Sequence, residues 1–595
     1  MKMKESASQT NFIKFLIVVI PFILVSGFAK SQSIEFKWSN PLIEKVPVVE
    51  GRMPGQLQNS FSRFPTGFQQ EVDKNIVKEA NQSSGLLIRF QTDADEIVLK
   101  YTVDNKSEKP DRSDIATSGI DLYAVDADGK FYWCNGNYHF GDTIIYHFSN
   151  LKPNDKYHPN GREYRLYLPL FASVRSLKVG VPQKADFTFL QTRADKPVVI
   201  YGGATVQGAA VTRPGLSWAA ILGRKLDRPI INLGFAGNGQ SNKNIINLLP
   251  GIDAQIYILS CSNSDEKQAK ENLIQAVKTI RAKNPQTPVL LTGGNEHSDD
   301  YLNQRHHYAD SLSNSVLQDA YYTLKSNGIN NIYLLDRKEI KFNINSLAEN
   351  SDLGDIGHQQ YATAVEKITR KILDEPTGKS STTHPRTQKR DANIYNWEIR
   401  HRYILQSVKQ KQPKVIFIGN SITHYWGGLP HGPIKSDWDV KNLFFDSLDA
   451  EDLGYGWDRI ENVLWRIYHG ELDGYTANYA VLLIGTNNLD VNTDAQILEG
   501  LQFVVNAIKE RQPSCKILML VLTPRRAYED RVARVNKGIA KLAGMLNVNY
   551  ADAGGLFLKP DGKIDESLFS DGLHPTVKGY KLLEDFLRPY LTERK

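Results

Sequence analysis

Short apolar runs bounded by glycine, proline, asparagine and aspartate divide the chain into regions with different rhythms. From residue 33 to about residue 190, apolar and polar positions alternate, as in GLLIRFQTDADEIVLKYTVD, which predicts two strands joined by an acidic turn. Short alternating runs separated by turn residues are typical of an antiparallel β-sandwich. The pattern therefore predicts an accessory β-sandwich, jelly-roll-like in form, over residues 33–192.

The rhythm changes near Lys196, where continuous apolar runs such as PVVIYGG and AQIYILSC alternate with helical windows such as ENLIQAVKTIRAKN. Buried strands that alternate with helices predict a parallel sheet covered on both faces. The same pattern resumes in KVIFIG, YAVLLIG and CKILMLVLTP. We therefore expect two α/β domains, at 196–374 and 394–595. Between them, residues 375–393 are polar and rich in Pro, Ser, Thr and Lys, a composition that predicts a linker.

The two predicted α/β domains repeat each other. Ala204 and Ser421 each lie two residues after a glycine that ends an apolar run. An Asp-x-x-His pattern follows in both, and its histidine comes 154 residues after Ala204 and 153 after Ser421. The two patterns are Asp355 with His358 and Asp571 with His574. The shared order and spacing predict an ancient duplication or a fusion of two relatives.

The second repeat has the residues that acyl transfer needs. Ser421 follows a strand, and the carboxyl ends of parallel strands form the ligand crevice of such sheets. Serine is a weak nucleophile without a base. His574 could take its proton and return it to the leaving group, and Asp571 could hold the imidazole in the productive tautomer.

Acyl transfer also needs hydrogen-bond donors for the developing oxyanion. The backbone N–H of Ser421, a backbone N–H of the GYGWD turn and the side-chain amide of Asn487 are the candidates. Three further residues, next to the nucleophile or in that turn, are candidates for lining the substrate pocket: Tyr425, Trp426 and Gly456.

Four stretches of this half, IGNSIT, GYGWD, GTNN and DGLHP, resemble the four sequence blocks of the SGNH (GDSL-type) hydrolase superfamily. ENVLWRIYHGELDG is especially similar to its platelet-activating-factor-acetylhydrolase-like branch. The resemblance implies a flavodoxin-like α/β/α sandwich and ester hydrolysis without a metal or another cofactor. It also implies that Ser421, Asp571 and His574 form the triad, and that Ser421, Trp457 and Asn487 form the oxyanion hole. Two positions depart from the blocks: Asn420 replaces an aspartate, and Trp457 replaces a glycine.

The preceding part of the chain, about 33–374, resembles bacterial esterases in which a GxDLY domain precedes an SGNH domain. The signature is GIDLY, from Gly119 to Tyr123. Ala204 stands where active members have the serine, so we expect an inactive domain with a degenerate site. Its residues would be Ala204, Gly237, Asp355 and His358. A displaced centre on Thr205 is the rival hypothesis, and Asn263 fits the third block only with a shift in register.

The N-terminus adds an expectation about location. Lys2, Lys4 and Lys14 precede or enter the apolar run FLIVVIPFILVSGFA. A span needs about 20 apolar residues, and Pro21 interrupts this shorter run. The pattern favours a cleaved signal peptide at 1–31 over a membrane anchor, and hence an exported, periplasmic or extracellular protein without stable membrane insertion.

Composition narrows the partners. The chain has 595 residues, a net charge of +6 and no dense basic run with interleaved aromatics, which argues against nucleic acid. Its three cysteines are far apart and form no metal-binding spacing or disulfide framework. The leading hypothesis is an esterase that removes O-acetyl groups from carbohydrates. There are two alternatives. One is a short-chain lipid or phospholipid acyl esterase, and the other is a glycan-binding protein with degenerate hydrolase domains. The glycan and the oligomeric state stay open.

Overall fold

The computed structural model describes residues 35–591 apart from 56–59, 66, 69–73, 105–112, 153–156, 238–241, 261–265, 294–296, 298, 300, 350, 391–393 and 428–442. The signal peptide predicted at 1–31, Cys261 and Asn263 lie outside the described residues. The other two cysteines, Cys134 and Cys515, are free thiols.

The N-terminal region contains two antiparallel sheets. The first has the order β1-β10-β4-β8-β7, and the second has the order β11-β3-β9-β5-β6, with β2 paired to β3. Apolar side chains of both sheets, such as Leu99 and Val179 from the first and Ile88 and Leu166 from the second, form one core. The strands are β1 Phe36–Ser39, β2 Val49–Glu50, β3 Leu87–Thr92, β4 Ile97–Asp104, β5 Asp121–Val125, β6 Phe131–Cys134, β7 Asn137–His139, β8 Ile144–Phe148, β9 Arg162–Tyr167, β10 Ser173–Pro182 and β11 Phe187–Phe189.

Part of the segment assigned to the β-sandwich packs elsewhere. Met53, Phe64, Phe68 and Ile76 belong to the core of the first α/β region. Arg63, fully buried, donates to the carbonyls of two residues there. This N-terminal segment therefore stabilises the α/β region that follows it.

Two five-stranded parallel sheets follow, with the same strand order. The first is β13-β12-β14-β15-β16 and the second is β20-β19-β21-β22-β23, so each has the order 2-1-3-4-5 of flavodoxin-like folds. The switch point lies between the first and third strands of each sheet. The strands are β12 Val198–Gly202, β13 Ile230–Gly234, β14 Ile256–Ser260, β15 Val289–Thr292, β16 Ile332–Leu335, the short pair β17 Leu347–Glu349 and β18 Asp352–Leu353, then β19 Val415–Gly419, β20 Ala450–Gly454, β21 Tyr479–Leu483, β22 Lys516–Leu520 and β23 Asn549–Ala551.

Helices cover both faces of each parallel sheet, so each sheet contributes to two apolar cores. The helices are α1 Lys74–Ala80 and α2 Asp114–Ser118 in the N-terminal region, then α3 Ala204–Gln207, α4 Trp218–Leu226, α5 Lys243–Leu248, α6 Glu266–Lys283, α7 Gln304–Ser326, α8 Asp355–Ile372, α9 Trp397–Lys411, α10 Ser421–Trp426, α11 Leu443–Ser447, α12 Ile460–Arg466, α13 Asp494–Arg511, α14 Glu529–Leu546 and α15 Val577–Leu591. None of the helices within the described residues is long and apolar enough to cross a membrane.

A buried ion network joins the β-sheet region to the second α/β region. Arg89 on β3 pairs with Glu50 at 3.0 Å and with Glu398 on α9 at 2.7 Å. A buried charge that loses its partner is costly, about 3–5 kcal/mol for a broken pair. The network therefore fixes α9 against the sheet.

The segment predicted as a linker is packed rather than exposed. Thr382 and Gln388 are fully buried, and the Thr382 hydroxyl donates to the carbonyl of Gln496 on α13 at 2.6 Å. Polar composition predicted a solvated connection, but here the polar side chains form hydrogen bonds inside the protein. The domain boundaries themselves stay predictions.

Candidate active site

Ser421 lies at the switch point of the second parallel sheet. β19 is buried throughout, and its chain turns at Asn420 into α10, whose first residue is Ser421. The Asn420 side chain accepts a hydrogen bond from the Ile422 N–H at 2.9 Å and so caps the helix. The asparagine thus serves the turn as an aspartate would, and Ser421 is held in a fixed position with 5% of its surface exposed.

A glycine lets this helix approach the neighbouring strand. A side-chain carbon on Gly454, at the end of β20, would lie 2.3 Å from the backbone nitrogen of His424 on α10. Any larger residue would displace the helix that begins with Ser421. The glycine at the end of this strand therefore helps to set the position of the hydroxyl.

Three side chains form a continuous chain of hydrogen bonds. The Oγ of Ser421 lies 2.8 Å from Nε2 of His574, and Nδ1 of His574 lies 2.7 Å from Oδ2 of Asp571. Asp571 Oδ1 also accepts the backbone N–H groups of Leu573 and His574, at 3.0 and 2.8 Å. The aspartate therefore fixes the imidazole ring, and the ring presents its other nitrogen to the serine.

The carboxyl group of Asp571 stays ionised. Partial burial favours the neutral acid, but the hydrogen bonds from the His574 ring and backbone outweigh it and hold the pKa of Asp571 well below its ordinary value. A carboxylate at this place can stabilise an imidazolium if His574 takes a proton.

Pro575 keeps the histidine in a turn. A residue before proline is disfavoured in the helical region, which favours a helix that starts only after His574. Ser570 N–H donates to the His574 carbonyl at 2.9 Å, and α15 begins only at Val577. The imidazole consequently reaches over the end of the sheet to Ser421.

The candidate oxyanion donors lie at the start of α10 and in the segments that follow β20 and β21, the two strands that flank β19. The Asn487 side-chain nitrogen donates one hydrogen to the Asp458 carbonyl at 2.9 Å, which leaves its second hydrogen available. Among the described residues, no acceptor pairs with the backbone N–H of Ser421 or of Trp457. Trp457 adopts a left-handed backbone with a φ of 62°. All three predicted donors thus keep an N–H for a ligand.

Of the residues predicted to line the pocket, one lies beside the site and another lies in the core. Tyr425 lies beside the site, with its ring centroid 4.9 Å from that of His574. Trp426 does not line a pocket: it is 1% exposed and stacks on Phe444 and Tyr580 in the core, because it lies one helical turn after buried Ile422.

Trp457, beside Gly456, makes an aromatic contact that the sequence did not indicate. Gly456 is buried, whereas the next residue, Trp457, is 43% exposed. The Trp457 ring meets Tyr157 of the N-terminal β-sheet region edge-on, with centroids 6.2 Å apart. The two regions therefore contact each other at this turn.

The corresponding residues of the first α/β region do not form a similar site. Ala204 begins α3, and Asp355 accepts hydrogen bonds from the backbone and hydroxyl of Thr212, at 2.9 and 2.7 Å. His358 is fully buried, its Nδ1 accepts from the Trp218 N–H at 3.1 Å, and its Nε2 lies 2.9 Å from the Ala209 carbonyl. Both ring nitrogens are therefore occupied. A side chain on Gly237 would collide with Glu79 of α1, which lies against it.

The missing proline explains this difference. Gln359 follows His358 where Pro575 follows His574, so α8 begins already at Asp355 and carries His358 inward. Burial, outweighing the Ala209 hydrogen bond, lowers the pKa of His358 to about 4, so the ring is neutral near pH 7. His358 therefore does not lie in the degenerate site expected for it: it packs in the interior and helps to hold the 209–212 loop.

We therefore expect Ala204→Ser to create no second activity. A serine there would lack a free base, because both nitrogens of His358 are already bonded. The measurement is acetate-ester hydrolysis by Ala204→Ser combined with Ser421→Ala, against Ser421→Ala alone. Turnover above that of the single variant would contradict the arrangement described.

The GIDLY signature connects the β-sheet region to the first α/β region. Asp121 accepts from the Gly215 N–H at 3.0 Å and from the Arg213 guanidinium, which also donates to the Tyr123 hydroxyl at 2.7 Å. The signature residues here form an interface between domains. Among the described residues, no group of three or more His, Cys, Asp or Glu side chains could hold a metal ion.

Comparisons with known proteins agree with the fold. Two models of the GDSL-like lipase/acylhydrolase family match residues 195–370 and 417–582, and a model of the N-terminus of SGNH-type esterases (GxDLY) matches residues 36–187. Platelet-activating factor acetylhydrolase IB subunit alpha2 of Bos taurus is 31% identical over 189 residues, 31% of this chain and 78% of the relative. Subunit alpha1 of Pongo abelii is 32% identical over 187 residues, 31% of this chain and 76% of the relative.

A crystal structure described as a GDSL-like lipase from Bacteroides ovatus shares the fold. It is 24% identical and has a TM-score of 0.53, covering 57% of this chain and 98% of that one. The chain belongs to the GDSL-like lipase/acylhydrolase family, the SGNH hydrolases, as the four blocks predicted.

Proposed function

We propose that this protein is an exported serine esterase that removes O-acetyl groups from carbohydrates, with its working centre at Ser421. The observation that carries the proposal is the unbroken hydrogen-bond chain from Asp571 through His574 to the Ser421 hydroxyl. Such a chain activates a hydroxyl that is otherwise a weak nucleophile.

Acylation follows from this chain. Oγ of Ser421 forms a bond to the ester carbonyl carbon while Nε2 of His574 takes its proton. Asp571 stabilises the resulting imidazolium. The tetrahedral intermediate carries its negative charge on the former carbonyl oxygen. It collapses as the alkoxide leaves and receives the proton from His574.

Deacylation reverses the roles of the groups. Water attacks the acetyl-serine, His574 takes a proton from that water, and Ser421 leaves with the proton that His574 returns. The backbone N–H groups of Ser421 and Trp457 and the amide of Asn487 would stabilise both tetrahedral intermediates. One such donor is typically worth about 3–4 kcal/mol.

Two features support the substrate class. The Tyr425 ring lies beside His574, and an aromatic ring next to the base is consistent with a small acyl group. Trp457 and Tyr157 bring aromatic rings from two regions together at the turn with a candidate oxyanion donor, and aromatic rings can pack on the apolar face of a sugar ring. The jelly-roll-like form of the β-sandwich and the signal peptide belong to the same proposal.

A lipid acyl esterase is the second candidate. It is favoured by the identity with relatives named platelet-activating factor acetylhydrolase IB. The names indicate the removal of an acetyl group, as in our proposal, but from a different alcohol. A glycan-binding protein without activity is the third candidate, and the intact Ser421 arrangement argues against it.

Covalent labelling and a substrate panel test the proposal. We expect a fluorophosphonate to label the wild type at Ser421, and nitrophenyl acetate to be cleaved faster than nitrophenyl octanoate. We also expect acetate release from one of acetylated xylan, xyloglucan, pectin or sialic acid. Faster cleavage of octanoate, or acetate release only from an acetyl phospholipid, would favour the lipid alternative. Absence of labelling would contradict a serine esterase of any kind.

A further inference from the structure

The direction of one candidate oxyanion donor is fixed by groups outside the four family blocks. The carbonyl of Gly456 and the N–H of Trp457 belong to the same peptide unit. In a planar trans peptide these two groups point in opposite directions. Whatever holds the Gly456 carbonyl therefore determines where the Trp457 N–H points.

Two side chains hold that carbonyl. The Gln388 side-chain nitrogen donates to the oxygen of Gly456 at 2.9 Å, and the Tyr395 hydroxyl donates to the same oxygen at 2.9 Å. Gln388 is fully buried and also contacts the Asp458 carboxylate at 3.2 Å. With both lone pairs of the carbonyl occupied, rotation of this peptide would break two hydrogen bonds.

Arg390 holds the next carbonyl along the chain. Its Nη2 donates to the Trp457 oxygen at 3.0 Å and to Asn462 Oδ1 at 2.6 Å. Its backbone N–H donates to Gln388 Oε1 at 2.6 Å, so the two residues orient each other. A left-handed backbone costs a non-glycine residue about 1–2 kcal/mol, and these contacts offset that cost at Trp457.

The N-terminal β-sheet region supports Arg390 from outside the α/β domain. Asp128, in the turn between β5 and β6, forms an ion pair with Arg390 and another with Arg459 at 3.2 Å. The Ala127 carbonyl accepts the Lys389 N–H at 2.9 Å. A side-chain carbon on Gly129, whose φ is 74°, would lie 2.7 Å from the Thr387 carbonyl. The turn is thus in close contact with the 387–390 segment.

We infer that Gln388, Arg390 and Tyr395, here called the brace, are positioning residues that aim the Trp457 N–H at the oxyanion, and that Asp128 couples the brace to the β-sheet region. The inference rests on the proposed function, because an oxyanion forms only in ester hydrolysis. None of the brace residues touches the reacting atoms. They act through the backbone of Gly456 and Trp457.

The first test removes single contacts. Tyr395→Phe deletes one hydroxyl and keeps the ring, and Asp128→Ala deletes the ion pairs to Arg390 and Arg459. Loss of a whole oxyanion donor lowers kcat about 10²–10³-fold. Each single variant, which only loosens that donor, should lower kcat by roughly 3–10-fold, and Tyr395→Phe with Gln388→Leu should approach roughly 10²-fold. KM for nitrophenyl acetate should stay near its wild-type value.

Matched controls separate positioning from general stability. Tyr468→Phe also removes a tyrosine hydroxyl that donates to a backbone carbonyl, that of Pro376 at 3.1 Å. Lys130→Ala changes an exposed residue at the end of the same turn as Asp128. Both controls should keep the wild-type kcat. All variants should reach full labelling by fluorophosphonate at the endpoint, with slower labelling only in the brace and Asp128 variants.

Hydrogen exchange gives a readout that is independent of activity. Three backbone amides report on the turn. The Tyr455 N–H donates to the Gly419 carbonyl, and the Asp458 N–H donates to the Tyr455 carbonyl. The Gly456 N–H donates to Nδ1 of His424. Their exchange should accelerate in the brace variants and not in Tyr468→Phe. Wild-type kcat in the double variant, or unchanged exchange, would overturn the inference. If the wild type hydrolyses no ester, the proposed function and the oxyanion role both fail, while exchange still shows whether the brace holds the turn.

Discussion

Replacing Ser421 with alanine is expected to abolish ester hydrolysis. The change removes the oxygen that lies 2.8 Å from Nε2 of His574 and leaves no other nucleophile in that position. In serine hydrolases with this arrangement, loss of the nucleophile costs roughly 10⁴–10⁶-fold in kcat. The measurement is nitrophenyl acetate hydrolysis under saturating substrate, together with loss of fluorophosphonate labelling.

Ser447→Ala is the matched control for that variant. Its hydroxyl donates to the Phe444 carbonyl at 2.8 Å in the same domain, so the substitution is chemically the same change elsewhere. It should keep wild-type turnover. A Ser421→Ala protein that retained a tenth of the wild-type rate would exclude Ser421 as the nucleophile.

Replacing Asp571 with asparagine should lower kcat by roughly 10³–10⁴-fold while leaving the fold intact. Asparagine has the same shape and can still accept the Leu573 and His574 backbone N–H groups through its oxygen. Its NH₂ group would then face Nδ1 of His574 as a donor. That selects the tautomer with a hydrogen on Nε2, which cannot take a proton from Ser421.

Asp565→Asn provides the comparison for Asp571→Asn. Asp565 also accepts the N–H of the residue two positions on, Ser567, at 3.1 Å, but it has no contact with the imidazole. We expect wild-type kcat from Asp565→Asn. Equal losses in the two variants would show that Asp571 supports only the local turn.

The sequence was sufficient to predict which residues come together around Ser421, because each of them is marked by a local sequence pattern. Ser421 and Asn487 lie two and four residues after the ends of buried strands, and parallel strands bring their carboxyl ends to one edge. His574 stands between a turn and Pro575, which keeps it out of the helix. The structure places the serine, the histidine and Asp571 in one hydrogen-bonded chain. Their catalytic roles stay predictions until the variants are measured.

His358 and Trp426 lie in the interior rather than at the predicted sites, and in both cases the spacing of residues in the sequence indicates this. Gln359 in place of proline allows a helix to continue through His358, which lies on the same helix face as the buried residues Tyr361 and Ala362, three and four positions on. Trp426 is four residues after Ile422, the separation that puts two side chains on one face of a helix. Reading helix periodicity across these segments would have assigned both residues to the interior.

The brace had no such local signal. Gln388 and Arg390 lie in a polar stretch, and their partners Gly456 and Trp457 are more than sixty residues away. Composition predicts solvent exposure for such a stretch, whereas tertiary hydrogen bonds decide its burial. The packing of Phe64 and Ile76 against the first α/β core is another long-range contact of this kind.

The contact between the 387–390 segment and the Gly456–Trp457 peptide also bears on how this architecture can be recombined during evolution. The family match to the second hydrolase unit begins at residue 417, after Gln388, Arg390 and Tyr395. A gene rearrangement that exchanged only the matched unit would combine a new turn at Gly456–Trp457 with brace residues that fit the original turn. The smallest exchangeable module is therefore larger than the hydrolase unit and extends upstream to the residues that face Asp128.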